Sequence, residues 1–193
     1  MKKTLAILLS LVMLISLVNI TVFADETEPF TVSGAIGDNM VIQRDAKNKV
    51  WGWSEKTGEK ITVSFKGQTA EATVDENGKW CAVLPEMEKD KNENELTVTM
   101  GDFTKTFTGI LVGDVYLVAG QSNAEKDLAS CGKVYSNDEI KAWIEEAGGM
   151  IRYFDQGKSD ATNKPASMET PQENVLRGKK WKKETTSSAK EFS

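Results

Sequence analysis

The sequence contains no histidine and only two cysteines in 193 residues. The missing imidazole removes most zinc-site patterns, which lean on histidine and cysteine together. It also removes the usual partner of a nucleophilic serine. Only four prolines are present. A basic balance is absent too, since 29 acids outweigh 24 bases for a net charge of −5. That sign argues against nucleic acid as a partner. The two thiols, Cys81 and Cys131, stand in segments of different character. They read as buried small apolar side chains in preference to a disulfide, although an exported protein would permit a bridge. Nothing in the composition calls for a metal or another cofactor, and the oligomeric state is left open.

One strongly apolar segment does stand out, at the amino terminus. Lys2 and Lys3 open it, Leu5 to Val18 is apolar apart from Ser10 and Ser16, and Val22-Phe23-Ala24 puts small residues before the acidic Asp25-Glu26. A basic start, a short apolar centre and a small-residue end make a secretory signal peptide over residues 1–24. The apolar centre is shorter than the roughly 20 residues that span a bilayer, and no cysteine stands at the cleavage point to carry lipid. The expectation is an exported, extracellular protein without a stable membrane anchor.

Residues 25–109 form the first domain. Lys49-Val50-Trp51-Gly52-Trp53, Ile61 to Phe65, Ala70 to Val74, Trp80 to Leu84, Leu96 to Met100 and Phe103 to Phe107 read as short strands, several alternating apolar with polar residues. Turn signals separate them at Lys66-Gly67, Asp75-Glu76-Asn77-Gly78 and Gly101-Asp102. Strands at this spacing predict an antiparallel β-sandwich. Its expected core is Val50, one of Trp51 and Trp53, Ile61, Val63, Phe65, Val74 and Val98. Trp51, Trp53 and Trp80 have a second reading as a sugar-stacking platform, weighed against the commoner use of strand tryptophans as core.

The pattern changes near Ile110. Ile110 to Ala119 is almost continuously apolar, as in a strand buried on both faces of a parallel sheet. Ser136-Asn137-Asp138-Glu139 starts a helix whose apolar positions are Ile140, Trp143, Ile144 and Ala147, and Gly148-Gly149 ends it. Ile151 to Phe154 reads as another strand. Strand, turn, helix and strand are α/β grammar, so residues 110–193 are expected to be an incomplete α/β domain with parallel strands. Residues 155–193 are polar and loop-like. The fold class is therefore mixed, a sandwich followed by a partial α/β domain.

Ser122 is the residue with chemical promise. It follows the carboxyl end of the apolar strand, where α/β sheets present ligands and nucleophiles. Gly120 permits a sharp turn there, and the turn's backbone N–H groups can face an oxyanion. The bland alternative is a capping serine. The paired carboxylates Asp75-Glu76 and Glu145-Glu146 read as a turn tip and a solvated helix face.

Gly113-Asp114-Val115-Tyr116-Leu117-Val118-Ala119-Gly120-Gln121-Ser122-Asn123 resembles the nucleophile segment of the sialate O-acetylesterase family, SGNH-type hydrolases whose segment reads G-D-V-W-x-x-x-G-Q-S-N-M-E. Glu125 matches its end and Ala124 departs from it. Asp38-Asn39-Met40-Val41-Ile42-Gln43-Arg44 is similar to the family's D-x-M-V-L-Q-R. Val50 to Trp53, Gly58-Glu59 and Asn77 to Trp80 match its β-domain, and Ile151 to Phe154 and the Trp181 region match more loosely. The resemblance implies a β-sandwich beside an SGNH hydrolase domain and deacetylation of O-acetylated carbohydrate. It assigns Ser122 as nucleophile, with Gly120, Gln121 and Asn123 as oxyanion and turn support. The family also uses a late Asp-x-x-His pair, and this sequence has no histidine. The expectation is an incomplete and inactive fragment of such an esterase. The alternatives are a non-catalytic β-sandwich module that binds carbohydrate or another partner, and a product without function.

Overall fold

The structure is a computed structural model, and it describes residues 28–118, 135–154 and 180–184. The expected signal peptide, Gly120 to Asn123 and Cys131 lie outside the described residues.

Eight strands build a sandwich: β1 (Thr31–Val32), β2 (Val41–Gln43), β3 (Asn48–Trp53), β4 (Lys60–Phe65), β5 (Gln68–Thr73), β6 (Lys79–Leu84), β7 (Asp90–Met100) and β8 (Phe103–Gly113). One sheet runs β1-β3-β6 and the other β2-β8-β7-β4-β5. Alternation chooses the inward faces. Ile61, Val63 and Phe65 of β4 face Leu84, Val50 and Ala82 across a core that also holds Leu96, Val98 and Val74, all 1% exposed or less. Burying each such side chain is worth about 1.5–3 kcal/mol. The expected aliphatic core is thus present. Residues 60–100 hold strands and turns and no helix.

The turns follow their residues. Lys66 and Gly67 both take positive φ, 49° and 74°, and close the β4–β5 hairpin with Phe65 opposite Gln68. Two such residues are what a two-residue turn matching strand twist demands. Gly78 takes φ 74° at the end of the Asp75 turn, and the Gly78 N–H donates to the Asp75 carbonyl at 3.0 Å.

The tryptophans divide by parity. Trp80 points inward and is 2% exposed, edge-on to Phe30 at 6.4 Å. Trp51 and Trp53, on the opposite parity, are half-buried on the outer face of the three-stranded sheet. Trp51 still touches the core at its margin. Gly52 between them faces inward, where a Cβ would meet the Thr31 carbonyl oxygen at 1.9 Å and the Trp80 ring at 2.7 Å. Cys81 corrects the expectation of a buried thiol: it is free and exposed, because it shares the outer parity and stands opposite Trp51.

The sandwich is not wholly antiparallel. β2 pairs with β8 in parallel, Val41 to Leu111, Ile42 to Val112 and Gln43 to Gly113. β8 therefore carries the sandwich sheet through Gly113, past the boundary expected at residue 109. Gly109 makes this continuation irregular. Its φ is 72°, and it falls where the β7–β8 register shifts between Leu96 opposite Phe107 and Asn94 opposite Ile110. Beyond that bulge, Ile110, Leu111 and Val112 are all buried, which is the two-sided burial the apolar run implied.

The rest of the run differs from expectation. Val115 to Val118 form no strand, and Tyr116 and Leu117 are 82% and 92% exposed. A continuous apolar run is buried on both sides only where strands flank it, and among the described residues none pairs with 114–118. The helix is as read: α1 (Asn137–Ala147) has a complete capping box between Ser136 and Glu139, and Gly148 ends it with φ 58°. Ile140 and Ile144 are buried, whereas Trp143 is 46% exposed and meets Tyr135 edge-on. β9 (Arg152–Phe154) pairs antiparallel with β10 (Trp181–Lys183), where parallel strands were expected and the closing segment was read as loop. Trp181 explains the difference. Its indole N–H donates to the Ala35 carbonyl at 2.8 Å, and its ring meets Phe154, so a polar segment is pinned through one aromatic residue. An α/β domain is not formed by the described residues.

Ion pairs tie irregular parts to the sandwich. Glu93 accepts from Arg152 at 3.1 Å and from Lys183, joining the β9–β10 ribbon to β7. Asp90 at the start of β7 pairs with Lys66 in the β4–β5 turn and accepts from the Asn92 N–H at 2.9 Å. The Lys66 hydrogen bond, then the Asn92 N–H, hold the Asp90 carboxyl down to a pKa of about 2. A carboxyl lowered on folding stabilises the protein above its unfolded value, near 4, and loses that contribution as pH falls toward about 2. Equilibrium unfolding between pH 5 and 2 should therefore show a shallower acid loss for Asp90→Asn than for the wild type. Equal slopes would remove Asp90 from the acid response.

Candidate functional site

Asp38 to Arg44 and the stretch 108–115 were read as separate motifs, and the fold brings them side by side. The Asp38 carboxylate accepts the Thr108 N–H at 2.8 Å and its hydroxyl at 3.3 Å. Asn39, at φ 63°, donates its N–H to the Thr108 carbonyl at 2.8 Å. Its side chain sits where a Cβ on Gly109 would lie, 2.6 Å from the Asn39 Oδ1, so only glycine fits there. Met40 and Ile42 point into the core, 4% and 3% exposed.

The polar end of the motif then grips the chain as it leaves the sheet. The Arg44 N–H donates to the Gly113 carbonyl at 2.9 Å, and the Arg44 Nε donates to Asp114 Oδ1 at 2.9 Å. The Val115 N–H donates to the Gln43 Oε1 at 2.7 Å. The Gln43 amide is itself oriented, since its Nε2 donates to the Arg44 carbonyl and its backbone N–H donates to Asn48 Oδ1. Arg44 is held further by Asp45 at 2.5 Å, and the Asp114 hydrogen bond, followed by the two carboxylate charges, raises its pKa above the ordinary value. Arg44, Asp45, Glu88, Lys89 and Asp114 line a polar hollow of about 400 Å³ at this point.

The arrangement fixes the direction in which the chain departs toward Ser122. Ser122 and its neighbours Gly120, Gln121 and Asn123 lie outside the described residues. Sequence reasoning matched the 38–44 motif to a family but missed its task, because the partners lie 70 and 72 positions away. Among the described residues there is no cluster of three or more acidic or cysteine side chains able to hold a metal. No helix among them is long and apolar enough to cross a membrane.

No family model matches the sequence, and no curated protein matches it. A solved structure does. The chain is similar to a carbohydrate acetylesterase from Xanthomonas citri, with 32% identity and a TM-score of 0.70 over 84% of this chain. The match covers 34% of that enzyme, so the chain spans about a third of its length. A Ca2+-stabilised ice-binding adhesin from an Antarctic bacterium matches more remotely, at 23% identity and a TM-score of 0.31, over 46% of this chain and 25% of that one. The fold and sequence thus place the chain beside a carbohydrate esterase.

The grip is measurable. Gln43→Leu keeps the size of the side chain and removes the acceptor for the Val115 N–H. A hydrogen bond of this kind is worth about 0.5–1.5 kcal/mol net. Hydrogen exchange at Val115 should therefore accelerate about threefold to tenfold, with the β4 and β7 amides unchanged. Equal exchange at Val115 in both proteins would show that Gln43 does not hold the segment.

Proposed function

We propose that this chain is the amino-terminal part of an exported carbohydrate O-acetylesterase, in which Ser122 is the nucleophile. The observation that carries the reading is the 32% identity, over 84% of the chain, to a carbohydrate acetylesterase. The resemblance of 113–123 to the sialate O-acetylesterase nucleophile segment supports the finer assignment. In this reading the Ser122 hydroxyl attacks the acetyl carbonyl and its proton passes to a base. Backbone N–H groups about Gly120 to Asn123 would hold the oxyanion, the bond from the acetyl carbon to the sugar oxygen breaks as the base returns the proton to that oxygen, and water then hydrolyses the acetyl-serine to acetate. The structure's contribution is the stem: Gln43 and Arg44 hold residues 113–115, from which the nucleophile segment departs. Oxygen acetyl esters of sialic acid or of other glycans are the substrate class.

These 193 residues supply no imidazole. An unassisted serine hydroxyl forfeits general-base help worth about 10²–10⁴-fold, and triad members act as a unit, so losing one loses most of the effect. A carboxylate standing in for the imidazole would be a weak base at neutral pH, since the reference carboxyl pKa is about 4. Residues 1–193 alone should therefore hydrolyse p-nitrophenyl acetate no faster than their own Ser122→Ala variant. Turnover well above that variant, with stoichiometric labelling of Ser122 by a fluorophosphonate, would establish Ser122 as nucleophile and overturn the missing-base argument. The DNA beyond the Ser193 codon decides the esterase reading itself: a continuing frame that encodes Asp-x-x-His supports it. A frame without one favours the second reading, a carbohydrate-binding sandwich, which the outward Trp51 and Trp53 commend.

Export rests on the basic, apolar and small-residue succession ending at Ala24. Mass spectrometry of protein from the medium of expressing cells should find a chain beginning at Asp25. Intact chain beginning at Met1 and confined to the cytoplasm would refute the signal peptide.

A further inference from the structure

We infer that the β9–β10 ribbon is a charge-gated strap, fastened to the sandwich while the Glu93 carboxylate is ionised and released when that charge is lost. The ribbon is built to move as a unit. Its two three-residue strands pair with each other and, among the described residues, with no strand of either sandwich sheet. An isolated two-stranded ribbon is marginal in water, so its order depends on what docks it. It is docked by the Trp181 indole on the Ala35 carbonyl. It is docked also by Glu93 of β7, which accepts from Arg152 of β9 at 3.1 Å and from Lys183 of β10. One carboxylate therefore engages both strands.

The burial of Arg152 makes the Glu93 contact a gate. The Arg152 side chain is 1% exposed, whereas that of Glu93 is 50% exposed. The Arg152 Nη1 donates to the adjacent Ile151 carbonyl at 3.3 Å, and its Nε has no hydrogen-bond partner among the described residues. Burial lowers the Arg152 pKa, and the Glu93 charge opposes that shift. Removing the counter-ion of a buried charge costs more than forming the pair gains. Trp181 thus supplies attraction, while Glu93 decides whether Arg152 tolerates its position. Glu93 is open to solvent, so a proton reaches it without the strap moving. The charged groups facing it are Lys183 and Arg152, and the Lys183 hydrogen bond, followed by the two positive charges, lowers its pKa. A carboxyl lowered by docking stabilises the docked state above its ordinary value and loses that contribution as pH falls through the lowered one. The strap is therefore closed at neutral pH and opens in acid, below the usual carboxylate range. Glu184, buried just past β10, is the neighbouring acid that the test must separate from Glu93.

The strap is independent of Ser122 and its chemistry. Hydrogen exchange on the full chain reads the strap at the Glu184 N–H, which donates to the Ile151 carbonyl at 3.0 Å, and the sandwich at the β4 amides. Glu93→Gln keeps the shape of the side chain and mimics the protonated acid. At pH 7 it should speed exchange at Glu184 about tenfold or more, as stranding a buried charge does, with the β4 amides unchanged. Adding Arg152→Met, which replaces the buried charge by an apolar chain, should recover most of the lost protection. Lys183→Met removes a solvent-exposed ammonium and should change exchange about twofold or less. In acid, the Trp181 indole N–H resonance of the wild type should shift as pH falls from 7 to 3, while that of Trp80, inside the sandwich, stays in place. Glu93→Gln should show the shifted Trp181 resonance already at pH 7. Unchanged exchange at Glu184 in Glu93→Gln would overturn the proposal. So would a double variant no better protected than Glu93→Gln, or Trp80 and Trp181 shifting together in acid. Acceleration in Glu184→Gln with none in Glu93→Gln would place the gate on the wrong acid and equally sink the idea.

Discussion

The parallel pairing of Val41–Gln43 with Leu111–Gly113 is the contact on which the placement of the candidate site depends. It joins residues about 70 positions apart, and no shorter path in the chain does the same work. β7 holds β8 from one side and β2 from the other, so the strand is fixed on both edges just before it leaves the sheet. Only then do Arg44 and Gln43 reach Asp114 and Val115. The closure entropy of so long a loop is met by the sandwich core, in which Ile110 and Val112 are buried participants. The fixed start of the segment that leaves the sheet at Gly113 is therefore a product of the whole sandwich. Damage to the distant β4–β7 core would loosen it as surely as a change at Gln43.

Legibility in the sequence followed locality. β4 and β5 were readable because Ile61, Val63 and Phe65 alternate cleanly and Lys66-Gly67 has the residues its turn needs. α1 was readable because its capping box and its left-handed Gly148 lie within one short segment. The parallel β2–β8 pair was not, since Val41-Ile42-Gln43 is three residues long and carries no sign of its partner. The continuation of β8 through Gly113 was hidden for a related reason. The apolar run from Ile110 looks uniform in sequence, and the end of strand pairing at Gly113 among the described residues divides it into a buried half and an exposed half. The β9–β10 ribbon was missed because a single residue, Trp181, supplies most of its attachment. Of the candidate site, the sequence disclosed Ser122 by resemblance, whereas the grip of Gln43 and Arg44 on 113–115 emerges only in three dimensions.

The exposed stretch Val115 to Val118 has its own physical meaning. Four consecutive apolar residues open to solvent are unfavourable for a finished surface, and an apolar segment that adds no strand to its own sheet is an open template. This is the same run that matches the strand before the nucleophile in the resembled family, and the match to the acetylesterase covers 34% of that enzyme. Arg44 and Gln43 fix where the run begins, while nothing among the described residues covers where it goes.

Gly52 links the core to the outer face. On the inner side, its missing side chain lets the Thr31 backbone and the Trp80 ring approach, at distances a Cβ would forbid. On the outer side, the two-residue period that turns Gly52 inward sends Trp51 and Trp53 out together. The same residue therefore sets both the burial of Trp80 and the outward turn of the two indoles. A β-bulge or a one-residue slip in β3 would exchange these roles, burying the Lys49 charge and turning Val50 to solvent. The six-residue antiparallel register with β6, Asn48 to Leu84 through Trp53 to Lys79, prevents that slip.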